Sequence, residues 1–336
     1  MGYKVGLVGI GVVGSEMIRI LRERDFPADE ILILARRERD EEVAGETFHV
    51  IPAAPEAFEG LDFAFFAGTE GAKGASQRFG WEAVKRGATV IDNGDDFRMD
   101  ERVPLVIPEI NPDALDAHQG FIANPNCSTI IALMALAPLH REVGVRRFVV
   151  STYQSVSGTG RSAIDELAEQ ARAYVGGEPL VAQTYPHQIL FNVLPQIGGL
   201  KPQLPGYTSE EAKMLFETRK ILGDDGIRVS ATCVRVPVFL GHAEAMNIEF
   251  ERAVSPDEAR EILGAAPGVR VVDNVEAGAY PLPLEVAGKD NVFVGRVRPD
   301  DSVENGLALF VAGDNIRKGA ALNAVQIAEE LVRRSR

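Results

Sequence analysis

Cys127 is the residue best placed for covalent chemistry. It stands in Asn124-Pro125-Asn126-Cys127-Ser128-Thr129, a polar, turn-forming stretch that feeds an apolar run over residues 130–139. This pattern predicts a loop entering a helix with Cys127 at or near the first turn. There the helix field favours the thiolate over a thiol whose free pKa is about 8.5. A thiolate beside a nicotinamide points to thiohemiacetal or thioester chemistry at the aldehyde level. Cys233, inside a strand-like run over residues 230–238, reads instead as a packing residue.

A second chemical signal opens the chain. Gly9-Ile10-Gly11-Val12-Val13-Gly14 lies between a predicted strand (4–8) and a predicted helix (12–24). Glycines there permit a tight turn and let a pyrophosphate approach the helix N-terminus. The end of the second strand then selects the cofactor. An acidic residue would hold the 2′-hydroxyl of NAD, but the sequence reads Ala35-Arg36-Arg37-Glu38-Arg39. Adjacent arginines Arg36 and Arg37 can clamp a 2′-phosphate, which favours NADP; the alternative is a solvated basic turn.

These residues need elements to hold them. Residues 31–35, 62–66 and 88–92 read as further strands with a helix over 75–86, a βαβ alternation that predicts a parallel sheet. From residue 146 the texture changes to long β-rich runs at 146–154, 227–239, 245–250, 291–298 and 306–312. Few helices are expected between them, which points to an antiparallel or mixed sheet. A final amphipathic helix is expected over 317–334. The expected fold class is α/β: a Rossmann-like NADP-binding domain (1–125 with 315–336) and a mixed-sheet α/β catalytic and dimerisation domain (126–314).

Composition sets the outer bounds. The chain has 336 residues, 46% hydrophobic and 25% charged, which is a globular composition long enough for two domains. A formal net charge of −14 argues against non-specific nucleic-acid binding. Two cysteines give neither a disulfide framework nor a four-thiolate zinc site, so a reducing, cytoplasmic setting and no metal are expected. No apolar run is long enough to span a bilayer, and no membrane association is expected.

Four motifs in order carry a resemblance: residues 124–129 (NPNCST), 153–160 (YQSVSGTG), 235–242 (RVPVFLGH) and 314–323 (DNIRKGAALN). The chain resembles the aspartate-semialdehyde dehydrogenase family over essentially its whole length. The resemblance implies NADPH-dependent reductive dephosphorylation of L-4-aspartyl phosphate to L-aspartate 4-semialdehyde through a cysteine thioester, in aspartate-family amino-acid biosynthesis (lysine, threonine and methionine). By the same transfer Cys127 is the nucleophile, His242 the general acid/base, Gln154 the residue orienting the acyl group, and Asn126 a helper at the oxyanion. Arg235 would take the substrate α-carboxylate, Glu210 its ammonium, and Lys213 and Arg98 the phosphate. On spacing alone, Glu210 and Lys213 are equally a surface i,i+3 ion pair. Ser157, Gly158 and Asn315 would stand by the nicotinamide, and a homodimer or homotetramer is implied.

Two departures accompany the resemblance. The family loop runs approximately GATGAVG, whereas here Val8 replaces its first glycine and Ile10 its threonine. Where the family commonly has Asn-Ser-Ser-Ala-Phe-Arg, this chain has Asn93-Gly94-Asp95-Asp96-Phe97-Arg98. Those two carboxylates either face the pocket, where they repel an anion, or face solvent or cap an element. The alternative readings are a related acyl-phosphate or acyl-thioester reductase with a different acyl chain, and a non-catalytic paralogue.

Overall fold

A computed structural model describes residues 2–68 and 74–335. The chain divides into two compact units, Met1–Asn126 with Ala320–Arg336, and Cys127–Gly319.

The first unit holds a seven-stranded sheet. Its strands are β1 (Tyr3–Val8), β2 (Ala28–Ala35), β3 (Arg39–Val43), β4 (Glu46–Pro52), β5 (Phe63–Phe66), β6 (Thr89–Asp92) and β7 (Phe121–Ala123). The order is β3-β4-β2-β1-β5-β6-β7, parallel throughout except for the antiparallel β3–β4 pair. Helix α1 (Val12–Glu23) follows β1, and α2 (Ala75–Lys85) precedes β6. Met17, Ile18, Ile20 and Leu21 of α1 pack in one core with Val5 and Leu7 of β1. The C-terminal helix (Leu322–Arg334) adds Leu322, Val325, Ile327 and Val332 to that core. Each such side chain, fully buried, contributes about 1.5–3 kcal/mol.

The β3–β4 hairpin is absent from the sequence expectation. Its register, Val43 opposite Glu46, leaves a two-residue turn with positive φ at both Ala44 (54°) and Gly45 (81°). Hairpin turns of this primed type usually announce themselves as Asn-Gly or Asp-Gly, and an alanine in the first position hid the signal.

The second unit opens with α3 (Cys127–Val143), followed by β8 (Val145–Gln154), α4 (Arg161–Gly176) and α5 (Ser209–Leu222). Strands β9 (Arg228–Arg235) and β10 (His242–Phe250), helix α6 (Pro256–Ala265), and strands β11 (Val269–Val271), β12 (Val292–Pro299) and β13 (Gly306–Gly313) complete it. The six-stranded sheet runs β11-β12-β13-β10-β8-β9 and is mixed, with β8–β9 and β11–β12 parallel and the other pairs antiparallel. Four helices intervene where few were expected, α4, α5, α6 and a single turn over Pro283–Val286, because the strands dominate the reading by their length. Ser255 caps α6 by accepting from the Glu258 N–H at 3.1 Å. Strand β9, at the edge of the sheet, stops at Arg235 rather than running on to 239: Pro237 has no N–H, and the chain turns there with the Val238 N–H donating to the Val236 carbonyl at 2.8 Å.

Candidate active site and cofactor cleft

Register builds one end of the second sheet. Gln154, the last residue of β8, lies opposite Arg235, the last of β9, and Ala243 of β10 lies opposite Tyr153. Gln154, Arg235 and His242 therefore meet at the ends of three neighbouring strands. With a side-chain period of two, Thr152, Cys233 and Glu244 follow them on the same face, and all six are buried.

His242 has no exposed surface. Its Nδ1 accepts the Ser155 backbone N–H at 3.1 Å and lies 3.0 Å from Ser155 Oγ. An acceptor at Nδ1 assigns the ring proton to Nε2, which has no hydrogen-bond partner among the described residues. Burial first, then the Arg235 charge, push the imidazole pKa down to about 3, against an upward pull from Glu210. The ring is thus neutral near pH 7.

Arg235, 3% exposed, donates from Nη1 to the Ser155 carbonyl at 2.7 Å, while its Nε has no partner among the described residues. A buried cation with a donor in reserve is suited to an anionic ligand. Gly158 is pressed against both groups. A Cβ there would stand 2.8 Å from Arg235 Nη1 and 3.2 Å from the His242 ring, so any larger residue must displace the guanidinium and press the imidazole.

Glu210 and Lys213 are not a solvated surface pair. Lys213 Nζ donates to Glu210 Oε2 at 3.3 Å with the two side chains 16% and 4% exposed. Gln154 Nε2 donates to Glu210 Oε1 at 3.0 Å, and Thr152 Oγ1 donates to Gln154 Oε1 at 2.9 Å. The helix carrying them starts in a capping box: Thr208 Oγ1 accepts the Glu211 N–H, and Glu211 accepts the Thr208 N–H at 2.7 Å. Glu211 also accepts the Cys233 N–H at 3.2 Å, which fixes α5 against β9.

Cys127 is the first residue of α3 and is partly exposed. Gly319, in a π-turn that begins at Arg317, lies against it: a Cβ there would stand 3.0 Å from the Cys127 Cβ. Upstream of that turn, Asn315 is buried, with Oδ1 accepting from Gly241 N–H (3.0 Å), Ser155 Oγ (3.0 Å) and Ser157 Oγ (3.2 Å). Its amide donates back to Ser157 Oγ at 3.0 Å, so Asn315 and Ser157 join the start of β10 to the turn after β8. Cys233 is fully buried, and burial raises its thiol pKa out of the reactive range.

In the first unit the residues entering α3 are held by buried amides. Asn124 donates to Asn93 Oδ1 at 2.9 Å and accepts from Asn323 at 2.7 Å; Asn323 also donates to the Val106 carbonyl at 2.9 Å. Asn126 is 5% exposed. Arg98 is nearly buried and donates to the Asn93 carbonyl at 2.8 Å.

The cofactor cleft of this unit, about 560 Å³, is lined by Gly9, Ile10 and Gly11 at its floor. Gly9 has φ +98°, a conformation that favours glycine; at Gly11 a Cβ would meet nothing within 4 Å; at Gly14 it would run into the Gly9 carbonyl. These are the turn, approach and packing roles of a dinucleotide fingerprint. Val12 and Val13 begin α1, whose N-terminal cap Gly11 makes no side-chain bond and leaves the first N–H groups for a phosphate. Arg36 lines the cleft with Arg39 and Arg78. Arg37 is not among its lining residues, and its carbonyl accepts from Arg39 Nη1 at 3.3 Å. Asp95 and Asp96 both line the cleft, and Asp96 accepts from Gln77 (2.7 Å) and Ser76 (3.3 Å) in the first turn of α2.

Sequence reasoning missed Ser155, Glu244, Arg39 and Arg78. Ser155 sits inside a quoted motif beside Gln154. Glu244 stands two residues past His242, fully buried, with neither carboxyl oxygen bonded among the described residues. Burial, then the neighbouring Glu210 charge, raise its pKa well above the usual carboxylate range. Arg39 needed the unforeseen hairpin, since it is the first residue of β3. Among the described residues no group of His, Cys, Asp and Glu is placed to hold a metal ion, and no helix is long and apolar enough to cross a membrane.

A cleft over a glycine-rich turn in one unit, and in the other a buried His-Arg-Gln set at a sheet end with a partly exposed cysteine at a helix start, fit an α/β dehydrogenase of the semialdehyde type. The semialdehyde dehydrogenase NAD binding domain matches residues 4–118, and the semialdehyde dehydrogenase dimerisation domain matches residues 136–318. The chain belongs to the aspartate-semialdehyde dehydrogenase family. It is 48% identical to the aspartate-semialdehyde dehydrogenase of Aquifex aeolicus, with 99% of each chain covered. To that of Bacillus subtilis it is 44% identical, covering 98% of this chain and 97% of the other. Among solved structures, aspartate semialdehyde dehydrogenase II from Vibrio cholerae aligns with a TM-score of 0.93 at 43% identity over 99% of both chains. A second structure of that protein, complexed with ASA, aligns equally well.

Proposed function

We propose that the protein catalyses the NADPH-dependent, reversible reductive dephosphorylation of L-4-aspartyl phosphate to L-aspartate 4-semialdehyde, in amino-acid biosynthesis and in the cytoplasm, as a homodimer or homotetramer. One observation carries the reading: Arg235, His242 and the Gln154–Glu210–Lys213 chain share one buried end of a sheet. That arrangement offers a fork for a carboxylate, a carboxylate for an ammonium, and a cation beside it, the charge pattern of an amino-acid acyl phosphate. The relatives, aspartate-semialdehyde dehydrogenases over full length, support the same substrate over a different acyl chain.

In this mechanism Cys127, its thiolate favoured at the start of α3, attacks the acyl carbon and phosphate leaves. Lys213 and Arg98 neutralise the phosphate, and Asn126 aids the oxyanion. Gln154, held at both ends of its amide, fixes Glu210 on the substrate ammonium. Neutral His242 presents the Nε2 proton to the oxygen on which charge develops. The Gly9–Gly14 cradle, with Arg36 toward the 2′-phosphate, would hold NADPH, which would supply the hydride that reduces the thioester. The carbon–sulfur bond of the resulting thiohemiacetal then breaks, its hydroxyl proton passing back to His242, so that the semialdehyde leaves and the Cys127 thiolate is regenerated. Gly158 leaves room for the Arg235 and His242 side chains, while Ser157 and Asn315 hold the turn and strand from which they project.

The test is phosphate-dependent reduction of NADP by L-aspartate 4-semialdehyde. Cys127→Ala is expected to abolish turnover while leaving NADP affinity within about twofold by calorimetry. Turnover retained by that variant removes the thioester route, and a wild-type protein inactive without regard to phosphate removes the reaction.

A further inference from the structure

The cofactor cleft is polarised. Its lining crosses the carboxyl ends of β2, β1, β5 and β6, neighbours in that order, with Arg36 and Arg39 beyond β2 and Asp92, Asp95 and Asp96 at and beyond β6. Three strand spacings of about 4.8 Å separate the two poles by roughly 14 Å. The carboxylates alone would be an ordinary acidic cluster. Asp92, however, is fully buried and lines the cleft; its Oδ1 accepts the Gly94 N–H at 2.8 Å, the Ser76 hydroxyl and the Arg98 guanidinium stand near the carboxyl, and Oδ2 still has no hydrogen bond within geometric reach among the described residues. A buried carboxylate oxygen left over at a ligand cleft is a demand for positive charge or a donor.

A dinucleotide with its pyrophosphate on the turn after β1 and its 2′-phosphate toward Arg36 has only one direction left for its other half, over β5 and β6. We propose that Asp92, Asp95 and Asp96 form an acidic pole that distinguishes the redox state of the cofactor, binding the cationic oxidised nicotinamide in preference to the neutral reduced ring. This rests on the dinucleotide reading above. The two cofactor forms differ by one positive charge at that ring and share everything at the arginine pole, so the arginines set total affinity and the aspartates set the ratio of the two affinities. In a partly open cleft, where the effective dielectric is well above that of a dry interior, a carboxylate several ångströms away shifts that ratio by a few-fold. Asp96 is fixed for the task by Ser76 and Gln77, and a Cβ at Gly74 would run into it.

The experiment is calorimetric titration of the full-length protein with NADP and, separately, NADPH. Asp95→Asn and Asp96→Asn are made singly and together, since asparagine keeps the shape and the Asp96 bonds to α2. The double variant is expected to lower the preference for NADP over NADPH by about tenfold and each single variant by about threefold. Arg36→Ala serves as contrast and weakens both forms alike. Equal weakening of both forms by the aspartate variants, or no change in the ratio, overturns the proposal while leaving the cofactor reading intact. A folded wild-type protein that binds neither form overturns the cofactor reading itself. Melting curves of the free variants within a few degrees of wild type establish that folding is not what is being measured.

Discussion

Two buried titratable residues, Asp92 and His242, are displaced in ways that matter for function. Burial holds His242 neutral with its Nδ1 occupied by the Ser155 N–H, so the imidazole acts as a hydrogen-bond donor through Nε2 rather than as a cation. Asp92 is pushed the other way for a carboxyl, from an ordinary 3.8 up to about 6; burial is the main cause, opposed chiefly by the Gly94 N–H and then Ser76. A folded-state pKa raised above the unfolded one means that the native protein binds the extra proton between those values. The advantage is full below pH 3.8 and is lost as pH rises through about 6. Above that pH the buried carboxylate costs on the order of 3 kcal/mol, one pKa step being about 1.4 kcal/mol. Asp92→Asn keeps an acceptor for Gly94 and removes the charge. Its Tm should exceed that of wild type at pH 8, and the gap should shrink by about 1 kcal/mol on moving to pH 5. A gap independent of pH would mean that Asp92 keeps an ordinary pKa.

At the scale of elements, the turn after β8 decides whether the sheet end works. Its backbone supplies the Ser155 N–H to His242 and the Ser155 carbonyl to Arg235, and its Gly158 leaves them room. Gly158→Ala should displace the Arg235 guanidinium, lowering kcat/KM for the semialdehyde 10–100-fold with NADP affinity unchanged and Tm lowered by only a few degrees. A loss confined to NADP binding would show that Gly158 serves the cofactor instead. Much at this scale was legible in the sequence. Strand β1 and helix α1 have long runs of one period and bounds within a residue of the expectation, and the polar loop before the apolar run placed Cys127 at the start of its helix. Among the elements that were not legible, three show why. The β3–β4 hairpin lacks its usual turn residues; β10 begins at His242 rather than at 245, because Gly-His-Ala-Glu carries charge where a buried strand usually does not; and Arg317–Ala321 forms a π-turn where an α-helix was expected. The last two lie at the site, where local rules yield to chemistry. The buried partners Thr152, Ser155 and Asn323 were invisible for another reason: small polar residues look alike in sequence whether they meet water or one another.

For the whole molecule, the net charge of −14 opposes the arrival of polyanionic ligands at a few cationic islands. Distance separates the two influences. The dispersed carboxylates act on an approaching NADPH over tens of ångströms, whereas Arg36, Arg39 and Arg78 act at the cleft lining itself. Salt discriminates between these ranges, because the Debye length falls from about 30 Å at 10 mM to about 8 Å at physiological ionic strength. Raising salt over that interval therefore screens the repulsion before it screens the contact attraction. The association rate of NADPH, followed by stopped-flow fluorescence, is expected to rise about two- to fivefold between 10 and 150 mM salt and to decline only above that. Arg36→Ala should lower affinity without removing the rise, since the rise belongs to the net charge and not to the pocket. A rate that falls steadily from the lowest salt upward would mean that the basic rim already dominates the long-range field, and that the acidic surface lies turned away from the path of approach.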